Sequence, residues 1–101
     1  MRRGTTPTHT FTLPLDVSML ACVKVIYAQG GQVILEKEND GCVLDGNTVT
    51  VKLTQEETFL FDCHKKTVQI QVRVLTLGGE ALASDVLRVD VEKCLDDEVL
   101  V

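Results

Sequence analysis

From Val68 to Val74 the chain reads VQIQVRV. Every second residue is a β-branched aliphatic, and two glutamines and an arginine fill the places between. A period of two belongs to an extended strand with one face buried and the other wet. The same spacing recurs at Val23, Val25 and Tyr27, at Val49, Val51 and Leu53, and at Leu87, Val89 and Val91. Between these runs no helical period lasts the roughly 10–15 residues that a parallel crossover needs, so parallel βαβ units are excluded. The alternation therefore confines the chain to antiparallel sheets.

Turn signals divide the runs. Gln29-Gly30-Gly31-Gln32, Glu38-Asn39-Asp40-Gly41, Asp45-Gly46-Asn47 and Leu77-Gly78-Gly79-Glu80 carry the glycines and short polar residues that tight turns use. Strands are expected over 8–13, 20–28, 32–37, 42–44, 48–53, 67–75 and 83–92. Pro7 and Pro14 bracket the first, which suits an edge strand. Phe11 and Leu13 are expected to face one way, with His9, Thr10 and Thr12 tending the other; Val33 and Leu35 are expected inward. Thr54-Gln55-Glu56-Glu57 matches a capping box and predicts one helical turn over 55–60. Phe59 and Phe61 are expected to close the end of the core. The result is an all-β fold: an antiparallel immunoglobulin-like β-sandwich of about seven strands with one short helical turn. A small barrel is the main rival. The antibody pattern of two cysteines around a tryptophan is absent. One domain is expected over 1–95, with an acidic-apolar tail over 96–101 that is either mobile or docks on a partner.

A chain of 101 residues can bury a core without staples. With three phenylalanines, one tyrosine and no tryptophan, that core must be mostly Val, Leu and Ile. The net charge of −5 opposes a phosphate backbone, so no nucleic-acid partner is expected. Arg2-Arg3 is the one basic pair near a terminus expected to be mobile. TTPTHT stands where a signal peptide would place an apolar stretch, and no run is long enough to cross a membrane. The chain is therefore expected in the cytoplasm when made, or carried as part of a virion. Cys22, Cys42, Cys63 and Cys94 are expected as free thiols behaving as small apolar residues.

Candidate chemistry is sparse. Cys63-His64 is an adjacent pair whose side chains should diverge on an extended backbone, so no nucleophile-base couple is expected there. Glu36, Glu38, Asp40 and Asp45, with Asn39 and Asn47, are oxygen-rich, but their spacing fits turn formers better than a calcium loop. No catalytic, cofactor or metal residue is assigned. What remains is a polar sheet face of both charge signs: Gln69, Gln71 and Arg73, with Arg88, Asp90 and Glu92 on the returning strand. Gln69, Gln71, Arg73, Arg88 and Asp90 form the candidate interaction face, with protein as the expected partner. The alternative is an adhesion or ligand-binding module, calcium-assisted.

The order of elements resembles the N-terminal immunoglobulin-like domain of phage baseplate upper proteins and related small prophage proteins. The likeness rests on TVTVKLTQEETFLF, on VQIQVRVLTLGGEALASDVLRVDVEKCL, and on the opening MRRGTTPTHTFTLP. It covers nearly the whole chain. It implies a non-enzymatic structural role in prophage tail or baseplate assembly. This chain stops where the longer proteins continue.

Overall fold

In the computed structural model, which describes all residues from Met1 to Val101, the alternating runs form two antiparallel sheets. The strands are β1 (Thr8–Thr12), β2 (Leu20–Gln29), β3 (Gln32–Glu38), β4 (Val43–Asp45), β5 (Thr48–Lys52), β6 (Thr67–Thr76), β7 (Ala81–Ala83) and β8 (Leu87–Asp90). The single α-helical turn, α1, is Gln55–Thr58. One sheet has the order β1-β5-β4; the other runs β3-β2-β6, with β7 and β8 both on the far side of β6. That order is the immunoglobulin-like sandwich expected from the sequence.

The core is what the period of two dictates. Val23, Val25 and Tyr27 from β2 and Val68, Ile70, Val72 and Val74 from β6 face Val49, Val51 and Leu53 across the sandwich. Each large aliphatic side chain so buried stabilises the fold by about 1.5–3 kcal/mol before entropy is subtracted. The register sets Val25 beside Val72 and Tyr27 beside Ile70, so the two apolar rows lie side by side.

The helical turn forms as its sequence predicts. Thr54 Oγ1 accepts from the Glu57 N–H at 3.1 Å, and Glu57 Oε1 accepts from the Thr54 N–H at 2.9 Å. The turn ends at Thr58 rather than at Leu60, which is exposed. Phe61 enters the core, whereas Phe59 stays half-buried under the Arg3 guanidinium.

Five expectations need correction. The returning strand is not continuous: it breaks between Ala83 and Leu87, giving eight strands. At the break Ser84 holds on to β6, its N–H donating to the Val72 carbonyl at 2.8 Å and its hydroxyl accepting from the Val72 N–H at 3.0 Å. Val33 is 52% exposed and faces outward. A bulge between Tyr27 and Ala28 takes up Ile34, so Tyr27 meets Leu35 but Ala28 meets Val33, and the phase of β3 switches. His9 points inward with Phe11, because it pairs with fully buried Val51. Leu87 pairs with Ile70 on the core side but stays 47% exposed, since three strands cannot cover the outermost strand of the wider sheet.

The fifth concerns the N-terminus, which is tied down. Arg2 bridges in parallel to Glu92, and the Met1 ammonium donates to the Asp90 carbonyl at 2.6 Å. Gly4 (φ 80) passes against Phe59, whose ring would lie 2.8 Å from a Cβ there. The Gly4 N–H donates to buried Thr58 Oγ1 at 2.9 Å. The tail also folds back on its own chain: the Gln55 side-chain amide donates to the Leu100 carbonyl at 2.9 Å and accepts from its N–H at 2.8 Å.

Gln29 makes the same reciprocal pair in the interior. Only 1% exposed, it donates to the Asp62 carbonyl at 2.9 Å and accepts from the Asp62 N–H at 2.8 Å. Gln29→Leu keeps the volume but strands both backbone groups. It is expected to destabilise by about 1–3 kcal/mol in urea unfolding, while Gln32→Leu, at an exposed position, stays within about 0.5 kcal/mol. Equal effects of the two would show that the buried amide contributes nothing.

Candidate functional site: the outer face of the five-stranded sheet

Strand alternation sends every second residue of β2, β3 and β6 to the outside. On β6 these are Thr67, Gln69, Gln71, Arg73 and Leu75; on β2 they are Cys22, Lys24, Ile26 and Ala28. Beyond β2, Glu38 lies opposite Lys24, Glu36 opposite Ile26, and Val33 opposite Ala28. On the other margin Arg88 pairs with Gln69 and Asp90 with Thr67.

The five candidate residues thus share one face, but not as directly opposed rows. Only Gln69 and Arg88 are partners; Arg73 lies opposite Ala83 of β7, because the break at Ser84 separates the two halves of the return. Gln71 is committed internally, donating to the Ser84 carbonyl at 2.9 Å. Arg73, Arg88 and Asp90 are exposed, and Gln69 and Gln71 are half-buried.

Charge is unevenly spread. The chain has four ion pairs: Met1–Glu92, Arg3–Asp97, Lys24–Glu36 and Lys37–Glu57. Arg73 and Arg88 are in none of them. Lys24 in the middle of the face reaches Glu36 at 3.2 Å, leaving Glu38 as the free acid of the β3 margin. Ile26 and Ala28, both half-buried, and exposed Val33 supply apolar surface. Glu36, Glu38 and Ile26 were missing from the face read from the sequence, and the β2–β3 register is the signal that finds them. At one corner, Gly30, Gly31, Lys65, Thr67, Gln69 and Arg88 line an open polar depression of about 610 Å³.

The other candidates distribute as follows. The oxygen-rich turn residues do not converge: Glu36 holds Lys24, and Asn39 Oδ1 accepts from the Val23 N–H at 2.7 Å. Cys22 is exposed, and Cys42, Cys63 and Cys94 are half-buried, with no disulfide among them. Cys63 and His64 correct the expectation of diverging side chains. They sit on a turn rather than a strand, and their ligand atoms lie with that of Asp62 within 4.8 Å of one another.

His9 does something the sequence did not signal. Its Nδ1 lies 2.8 Å from the Tyr27 hydroxyl, joining β1 of one sheet to β2 of the other. Burial holds the His9 imidazole below its ordinary value of 6.5, with the N-terminal ammonium adding to the effect. Burial pushes the Tyr27 hydroxyl up. The unfolded imidazole titrates near 6.5 and the folded one lower, so between those values the unfolded chain binds more protons. Stability from this pair is present above pH 6.5 and is lost as pH falls through the folded value. The melting temperature is expected to drop as pH falls from neutral toward about 5.5, and His9→Gln to flatten that drop. An identical slope in the variant would rule His9 out as its source.

No helix is long and apolar enough to cross a membrane. No family model and no curated protein matches the chain. Among solved structures, the V domain of amphioxus IgVJ-C2 is similar over 91% of this chain and 95% of its own, at 9% identity and a TM-score of 0.39.

Proposed function

We propose that this chain is a protein-interaction module that works through the outer face of its five-stranded sheet, and that the surface it meets is the same face of a second copy. The observation that carries this reading is the charge layout: the acids Glu36 and Glu38 lie on one side of β2, and Arg73, without an internal ion-pair partner, on the other. A two-fold axis along β2, lying between two such faces, sets β3 of each copy over β6 of the other. Glu38 and Arg73 share the row of Lys24, so each Glu38 then lies over the Arg73 of the second copy. Ile26 meets its counterpart beside the axis. Lys24, next along β2, stays paired with Glu36 of its own chain, and self-complementarity is what a two-fold interface demands. The molecule measures 47 × 30 Å in its longer directions, broad enough for the roughly 800 Å² per partner of a stable contact.

The reading assigns no catalysis to the chain. A narrower role, as a component of a prophage tail or baseplate, rests on the sequence resemblance alone and is a separate proposal.

Sedimentation equilibrium tests the pairing. The wild-type chain is expected to dimerise at micromolar concentration, with the dimer weakened by salt. Arg73→Glu should weaken it about tenfold or more, and Arg73→Glu with Glu38→Arg should restore it. A wild-type chain still monomeric at about 100 μM would sink the proposal.

A further inference from the structure

The loop between α1 and β6 carries three different metal-binding groups in a row, and nothing in the sheet-face reading uses them. The ligand atoms of Asp62, Cys63 and His64 all lie within 4.8 Å of one another. Around a tetrahedral zinc the same kinds of atom sit roughly 3.3–3.6 Å apart, as bond lengths of about 2.0–2.3 Å require. Closing that gap calls for rotation of the exposed Asp62 and His64 side chains toward half-buried Cys63.

The turn that presents them is fixed. Phe61 anchors it in the core on one side. The buried Gln29 amide grips both backbone groups of Asp62, at 2.9 and 2.8 Å. The His64 N–H donates to Asp62 Oδ1 at 2.8 Å, which leaves the other carboxylate oxygen free. The Lys65 N–H donates to the Asp62 carbonyl at 3.3 Å. Lys65 follows directly and would repel a cation, but its ammonium is turned aside, 3.8 Å from where a Cβ on Gly30 would stand. Ordering the backbone is therefore not a cost that binding must meet.

The donor set specifies the ion. One thiolate, one imidazole and one carboxylate suit a borderline-soft divalent metal and not calcium or magnesium, which take oxygen. We propose that Asp62, Cys63 and His64 form a three-ligand site for a divalent transition cation of the zinc type. On binding, the Cys63 thiol loses its proton to solvent, a metal–sulfur bond forms and bound waters leave the ion. The thiolate and carboxylate offset the two positive charges. Three protein ligands leave a fourth position facing solvent, open to water or to a donor from another molecule.

Cobalt(II) is the probe, because a thiolate bound to it absorbs in the near ultraviolet and a tetrahedral site gives intense visible bands. Titrated into the reduced, chelator-treated full chain, it is expected to saturate at one equivalent and to be displaced by zinc. Cys63→Ser should abolish the thiolate band. His64→Ala, at an exposed side chain, should weaken cobalt binding about tenfold or more without changing the melting temperature. Cys22→Ser and Cys94→Ser should leave the spectrum unchanged. No band at stoichiometric cobalt would overturn the proposal. So would a band that persists in Cys63→Ser, or one that persists at full affinity in His64→Ala. Because Cys63 also touches the rim of the core, the His64→Ala result decides the matter if Cys63→Ser melts early.

Discussion

The pairing of β2 with β6 is the contact on which everything else depends. It joins Leu20–Ala28 to Gln69–Thr76, two segments far apart in the chain, and nothing local holds them together. Once that register is set, the aliphatic rows of both strands face the same way, and the hairpin strand β3 and the returning strands β7 and β8 have edges to add to. The smaller sheet then closes over the apolar face, and His9 reaches Tyr27 across the gap. Long-range pairing of this kind is slow to form, because the loop must close before the contacts reward it.

Side-chain amides and termini finish what the strands leave open. Gln29 and Gln55 each present a carbonyl and an N–H to one backbone residue, much as a neighbouring strand would. The first N-terminal residues lie beside Glu92, and Arg3 reaches both Asp97 and the Phe59 carbonyl, each at 3.1 Å. The two ends of the chain thus stabilise the same margin of the sandwich.

What was legible in the sequence is what side-chain pattern encodes. Val68, Ile70, Val72 and Val74 are buried as their spacing requires, and the Thr54–Glu57 box caps its turn. The bulge at Tyr27/Ala28 was not legible, because Val33-Ile34-Leu35 is apolar throughout and suits either phase. The N-terminal pairing left no trace because it runs through backbone groups, whose partners no side-chain period reports. Gln29 looked like a turn residue, since a polar side chain beside two glycines gives no sign of burial. On the outer face Arg73 and Arg88 could be read as outward, but Glu36, Glu38 and Ile26 join them only through the register of a neighbouring strand. Cys63 and His64 were read as if on an extended backbone, and the turn they share with Asp62 brings together what a strand would separate.

The break at Ser84 has a consequence for motion. A continuous return strand would leave β6 as one cooperative unit, but β7 is three exposed residues joined to β8 by a short irregular link. Local opening can therefore release Ala81–Ala83 while β8 stays paired with Thr67–Ile70. Amide protons bonded between β7 and β6 should then exchange with solvent well before those between β2 and β6. Such an opening bares the Arg73–Leu75 backbone as a temporary sheet edge, a template for an extended segment of another chain, without exposing the centre of the core.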